Sequence, residues 1–248
     1  MKSTIISSTT DNLDLITIAS SNVTLKDFHL KGTTAGTGTD LLIYLQTGCK
    51  HFRAERVRAT DTLEEAFYIY DADYSQLVDC EAYSVRTGVS ISSSDYIQIW
   101  GGSYHDCSSP NLYVVNSEYT MINGVSCYNG ANYNARFSTS GNMTIANCMF
   151  KDGASSGIFV DASRNSSFTG CFFLDNADNG ALVNGNSGNT GFNTFIGCHF
   201  KGNTGDGIEL GGVTVPVATV IDGCSFINNG ANINDGGAGT ITGDNALG

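Results

Sequence analysis

A short pattern returns at a nearly fixed interval between Asp73 and Asn176, and it constrains the fold more than any other feature. Residues 75–80, 97–102, 120–125, 143–148 and 166–171 align beneath one another, ending in Cys80, Gly102, Val125, Cys148 and Cys171. A period of roughly 20–50 residues is the mark of a solenoid, whose units bury their apolar faces only by stacking on neighbours. The column extends to Phe28, Val57, Cys80, Gly102, Val125, Cys148, Cys171, Cys198 and Cys224, with steps of 29, 23, 22, 23, 23, 23, 27 and 26. Three residues earlier runs a second apolar column, from Leu25 through Leu77, Ile99, Ile122, Ile145 and Phe168 to Ile221. Two residues later runs a third, from Leu30 through Ala82, Tyr104, Cys127, Phe150, Phe173 and Phe200 to Phe226.

Offsets of three and two do not share a helix face. They fit a strand, a tight bend and another strand. Each unit has a further strand. Its inward positions are Val89, Leu112, Ala135, Ile158, Ala181 and Ile208, then Ile91, Val114, Phe137, Val160, Val183 and Leu210. Ser90, Tyr113, Arg136, Phe159, Leu182 and Glu209 lie between them and point outward. The residues 32–39 account for the long first step and read as an exposed loop. Asn129, Asn176, Asn203, Asn228 and Asn229 follow the third column and predict a stacked Asn row, since Asn satisfies turn backbones and tolerates left-handed φ. No helical segment of useful length is evident. The reading is an all-β chain, a single parallel β-helix domain over residues 1–248 with about nine to ten coils.

Composition agrees and narrows the function classes. Hydrophobic residues are 41% and charged residues 15%, the reverse of a disordered chain. The net charge of −12 argues against nucleic acid and against an anionic membrane surface. No run of about 20 apolar residues is present to insert in a membrane. The first residues lack the apolar stretch of a signal peptide. The eight Cys form no CxxC pair, so no zinc site is expected. Five of them, Cys80, Cys148, Cys171, Cys198 and Cys224, share one column and read as stacked, buried, reduced thiols. Unpaired thiols suggest assembly in a reducing compartment.

Residues 142–153 and 176–183 resemble the repeats of the right-handed parallel β-helix superfamily, which includes pectate lyases, polygalacturonases, alginate epimerases and phage tailspikes. The resemblance covers about residues 3–235 and rests on structural residues, so it speaks for fold more than for function. Members usually carry a capping helix before the first rung, and here residues 3–6 look like the segment after such a cap. The expectation is a segment of a longer chain, or one whose ends are covered by oligomer contacts.

Two outward clusters could carry chemistry. In the first, Glu81, Tyr83, His105, Asp106, Tyr128 and Lys151 cover about four rungs of one face. Tyr and His suit proton transfer beside a uronate, and Lys151 or Arg58 could neutralise its carboxylate. In the second, Tyr68, Tyr113, Arg136, Phe159 and Glu209 form one outward column, with Tyr70 and Asp161 two positions on. Arg136 falls between two aromatic rings with Asp161 a rung away, a set that suits sugar binding. The catalytic candidates are Glu81, Tyr83, His105, Tyr128, Arg136 and Asp161, and the substrate-binding candidates Tyr68, Tyr113, Phe159, Lys151 and Glu209. The bland reading of both clusters is a solvated, partly aromatic ladder. A third group, Glu64, Glu65, Asp71, Asp73 and Asp79, matches no calcium-loop spacing and reads as a solvated acidic face. No metal or other cofactor is expected.

The resemblance implies a polysaccharide partner and a glycan-binding β-helix of tailspike or polysaccharide-lyase type, a lyase or glycoside hydrolase if it is catalytic. The alternative is a non-catalytic structural or adhesive β-helix in a homotrimer or larger particle. Both versions place the protein in a virion or outside the cell after cytoplasmic assembly.

Overall fold

The computed structural model describes residues 4–7, 14–34, 41–185, 191–211, 218–236 and 240–247. The expected loop at 32–39 lies largely outside them. Among the described residues there is no helix, and so none long and apolar enough to cross a membrane.

Each coil contributes one strand to each of three parallel sheets. Among the described residues, sheet I has ten strands, from Thr24–Lys26 to Ile241–Thr242. Sheet II has eleven, from Thr4–Ser7 to Ala246–Leu247. Sheet III has ten, from Ile16–Ile18 to Ile233–Asp235. The register is the one the columns demand. Ile99 lies opposite Leu77 and Ile122, Tyr104 opposite Ala82 and Cys127, and Val114 opposite Ile91 and Phe137. A slip of one residue would turn every inward side chain to solvent, so burial on one face sets this pairing.

The interior is built from like-on-like stacks. Phe150, Phe173, Phe200 and Phe226 are fully buried, with successive ring centroids 5.4, 4.6 and 4.9 Å apart. Burying each such side chain is worth about 1.5–3 kcal/mol. All eight Cys are free and buried. Among the described residues all but the Cys127 thiol bond to carbonyl oxygens, as Cys148 does to Ala146 at 3.2 Å and Cys198 to Phe168 at 3.3 Å. Burial pushes Cys80 up to about 11 and Cys107 up to about 12. Gly102 departs from its apolar column. Its φ is +91°, and a Cβ there would fall 2.3 Å from the Cys80 carbonyl oxygen.

Sheets I and II meet at a single residue in the left-handed region. Asp27, Arg56, Asp79, Gly101, Gly124, Asn147, Gly170, Gly197 and Gly223 occupy this column, with φ between 48° and 68°. One such residue turns the chain between two strands, and Gly, Asn and Asp take it at least cost.

The expected Asn row exists, with Asn176, Asn203 and Asn229 among its members and Asn111 and Asn134 in place of Asn129 and Asn228. Asn111 donates through Nδ2 to Oδ1 of Asn134 at 2.9 Å, Asn134 to Asn176 at 3.1 Å, Asn176 to Asn203 at 2.8 Å and Asn203 to Asn229 at 2.8 Å. Asn129 and Asn228 are instead exposed, at φ 53° and 55°, outside the ladder. They follow the third apolar column, but the residue there must turn the chain left-handed and so faces solvent. A buried Ser ladder lines the turn from sheet III to sheet I, with Ser117 Oγ accepting from the Ser94 amide at 3.1 Å and Ser140 Oγ from the Ser117 amide at 3.2 Å.

Candidate functional site

Sheet II brings together the first cluster. Glu81–Tyr83, Ser103–His105 and Ser126–Tyr128 are adjacent strands, which places Tyr83, His105 and Tyr128 in one outward row. The imidazole lies 5.0 Å from the Tyr83 ring and 4.4 Å from the Tyr128 ring, nearly parallel to both. Its Nδ1 is 2.6 Å from Asp106 Oδ2, and its Nε2 is 3.6 Å from Glu81 Oε1. Glu81 also pairs with Arg58. Burial would raise the Asp106 carboxyl, but bonds from His105 and Asn129 outweigh it and hold Asp106 below the usual carboxylate range. Lys151 is next to Tyr128 in register and turns to Asp152, 3.1 Å away. Both faces of the imidazole and each charge in this cluster are met by a neighbour.

Sheet III is different. Its outward column reads Tyr44, Tyr68, Ser90, Tyr113, Arg136, Phe159, Leu182, Glu209. Tyr44 and Tyr68 stack at 5.6 Å. The Arg136 guanidinium lies 5.4 Å from the ring centroids of both Tyr113 and Phe159. Arg136 Nη2 is 3.6 Å from Asp161 Oδ2, and Asp161 accepts from Ser138 at 3.1 Å. The buried Arg136 Nε has no hydrogen-bond partner among the described residues. Phe159 also meets Tyr133, at 4.9 Å. Glu209 is not part of this group: Leu182 separates it from Phe159, and it accepts from Asn179 at 2.7 Å.

Between Tyr68 and Tyr113 the column holds only Ser90, 4% exposed, on the strand Thr87–Ser92. Rungs about 4.8 Å apart put the two tyrosines about 9.6 Å apart, with a small polar floor between them. The resulting groove has a volume of about 250 Å³, and its lining includes Glu65, Arg86, Ser92, Ser109 and Arg136. Gly88 lets this coil approach the next, since a Cβ there would lie 2.6 Å from the Asn111 carbonyl oxygen. At one end Arg86 Nη2 is 2.5 Å from both Glu64 Oε2 and Glu65 Oε1. Burial raises the Glu65 carboxyl despite that guanidinium. Burial likewise raises the Tyr68 phenol.

Sequence reasoning left Glu65 and Arg86 out of the candidates. The groove is signalled in the sequence only by a small residue in an aromatic column. The acidic group disperses: Glu64 and Glu65 turn to Arg86, and Asp73 pairs with Lys50 at 3.2 Å. Among the described residues no three His, Cys, Asp or Glu side chains converge on a metal position. A further row was not expected. His51, Tyr74, Tyr96 and Tyr119 stack at 5.2, 4.9 and 4.9 Å along the corner between sheets III and I. All four are left-handed, and the three Tyr are 43–50% exposed.

Comparison with solved structures finds the same architecture. The A-module of a mannuronan C-5 epimerase of Azotobacter vinelandii superposes with a TM-score of 0.81 at 14% identity, over 98% of this chain and 76% of that one. A pectate lyase superposes with a TM-score of 0.66 at 11% identity, over 90% and 68%. A protein of Geobacillus virus E2 superposes with a TM-score of 0.50 at 15% identity, over 91% and 50%. At these identities the likeness is one of fold. No curated protein sequence matches this one. A family model described as the right handed beta helix region matches residues 42–195, more than half of the chain. The chain therefore belongs to the right-handed β-helix family.

Proposed function

We propose that the protein is a carbohydrate-binding β-helix that takes a polysaccharide along sheet III. The observation that carries this reading is the groove over Ser90, walled by Tyr68 and Tyr113. Sugar rings present flat apolar faces, and an aromatic wall on each side with polar groups at the floor is the arrangement that holds them. A flat ring in contact at about 4 Å on each face needs about 8 Å between walls, which the two-rung gap supplies. The carbohydrate-acting names of the epimerase and lyase neighbours support the reading. If the site is catalytic, Arg136 and Asp161 are the sheet III candidates. His105 with Glu81, Tyr83 and Tyr128 remains a proposal for sheet II. Sheet III is preferred for binding because both faces of His105 are covered.

Affinity electrophoresis against a panel of neutral, acidic and amino polysaccharides tests binding, and assays for new reducing ends and unsaturated products test cleavage. Binding lost in Tyr113→Ala and kept in His105→Ala is the expected result. Retention on no polymer overturns the reading.

A second reading, an adhesive or structural β-helix in a homotrimer of a virion or extracellular particle, has its own observation. The exposed Tyr74–Tyr96–Tyr119 row is a strained, aromatic corner of the kind that contacts a partner, and the viral neighbour has the same fold. Light scattering that gives a trimer, dissociated by Tyr96→Asn, would favour it.

A further inference from the structure

We propose that the slot between Tyr68 and Tyr113 takes a sugar ring bearing a free amine, so that the ligand is an amino-sugar polymer rather than a polyuronate. The inference rests on the glycan reading above and specifies its substrate class.

The protein itself shows what fits such a slot. Two coils further on, Tyr113 and Phe159 stand two rungs apart, as Tyr68 and Tyr113 do. There the chain supplies its own flat cation, the Arg136 guanidinium, 5.4 Å from each ring centroid and 3.6 Å from the Asp161 carboxylate. At position 90 the residue is Ser, and the slot stays open. Tyrosine faces carry the negative lobe of the ring quadrupole and favour a positive guest.

The charges around the open slot point the same way. The charged groups lining the groove are Glu65, Arg86 and Arg136, and Glu64 and Asp161 pair with the two guanidinium groups from beside it, so three carboxylates counter two guanidinium charges. Arg86 is held by Glu64 and Glu65 together and Arg136 lies 3.6 Å from Asp161, so each guanidinium charge is already met by a carboxylate, while the Arg136 Nε–H has no partner among the described residues. Glu65 lines the groove and accepts from Arg86 at Oε1. Its other oxygen suits an ammonium group. Burial disfavours the ionised Glu65, and a cation in the slot would offset that cost. The net charge of −12 adds long-range repulsion of polyanions and attraction of polycations. A groove of about 250 Å³ is below the size that encloses a drug-sized ligand and suits one ring of a chain passing over it.

Isothermal titration with glucosamine oligomers, their fully N-acetylated counterparts and oligogalacturonate, at a pH where the amine is charged, tests the assignment. The glucosamine oligomer is expected to bind at least about tenfold tighter than either competitor. Ser90→Arg, which fills the slot as Arg136 fills the next one, is expected to abolish binding with the thermal midpoint kept. Glu65→Gln is expected to bring the amine and N-acetyl ligands to within about threefold of each other. Equal or tighter binding of the N-acetylated or uronate oligomer overturns the amine assignment and leaves the glycan reading standing. Undiminished binding by folded Ser90→Arg overturns the slot. Binding of none of the three, together with no retention on the wider polysaccharide panel, overturns both readings.

Discussion

The outward row of sheet II and that of sheet III start from the same backbone and end with opposite properties. On sheet II, Tyr83, His105 and Tyr128 occupy consecutive rungs, so each ring covers the next. On sheet III, Ser90 interrupts the aromatic column and two ring faces are left a slot apart. A parallel ladder therefore makes a stabilising stack when filled and an open slot when one rung is small. The difference lies in one side chain, not in the fold.

The largest expected effect is on binding. Tyr113→Ala removes a wall of the open slot and one face of the Arg136 site, and should weaken glycan binding at least about tenfold, roughly 1.4 kcal/mol. His105→Ala should do the reverse. It removes two ring contacts worth about 0.5–1.5 kcal/mol each, lowering stability in urea unfolding by roughly 1–3 kcal/mol with glycan affinity unchanged. A matching fall in affinity would break the contrast between the two sheets.

Smaller effects should separate the sheets by pH. Asp106 on sheet II has its folded pKa lowered, so its contribution is present above 3.8 and lost as pH falls through the folded value. The cost of Asp106→Asn should therefore grow as pH rises through that window. Glu65 on sheet III has its folded pKa raised, so its ionisation opposes folding as pH rises above 4.5. Glu65→Gln should gain stability relative to wild type over the same rise. Thermal midpoints measured from acid to neutral pH should show the two differences running with opposite sign, and parallel curves would contradict the assignment. The smallest effect concerns neither face. The interior thiols, with Cys80 near 11, should not react with a disulfide reagent at neutral pH until the chain unfolds.

The scaffold was legible in the sequence because a continuous core requires apolar side chains in register. Leu77, Ile99, Ile122 and Ile145 advertise one wall of it, and Phe150, Phe173, Phe200 and Phe226 another. The members of both candidate clusters were legible too, since outward residues alternate with inward ones. Three things were not. The left-handed column mixes Asp, Arg, Gly and Asn, so no residue type marks it. The Asn ladder jumps from Asn134 to Asn176, because the intervening coil offers the Gly153 amide to Asn176 Oδ1 instead of a side chain. The groove is a small residue between large ones, and its Glu65 reaches it from the start of a neighbouring strand, a placement that column reading does not resolve.

The Asn ladder has a direction. From Asn111 to Asn203 each side-chain amide donates to the next Asn along the stack, and from Asn134 to Asn229 each accepts from the Asn before it. Aligned amide dipoles polarise one another, strengthening each bond by about 10–30%. The interior of the solenoid thus carries a one-way polar filament beside its oily stacks, strongest at mid-length and weakest where it terminates. Asn176 is at its centre, and cutting it there should leave two shorter filaments and a molecule that comes apart from the middle rather than fraying from one end.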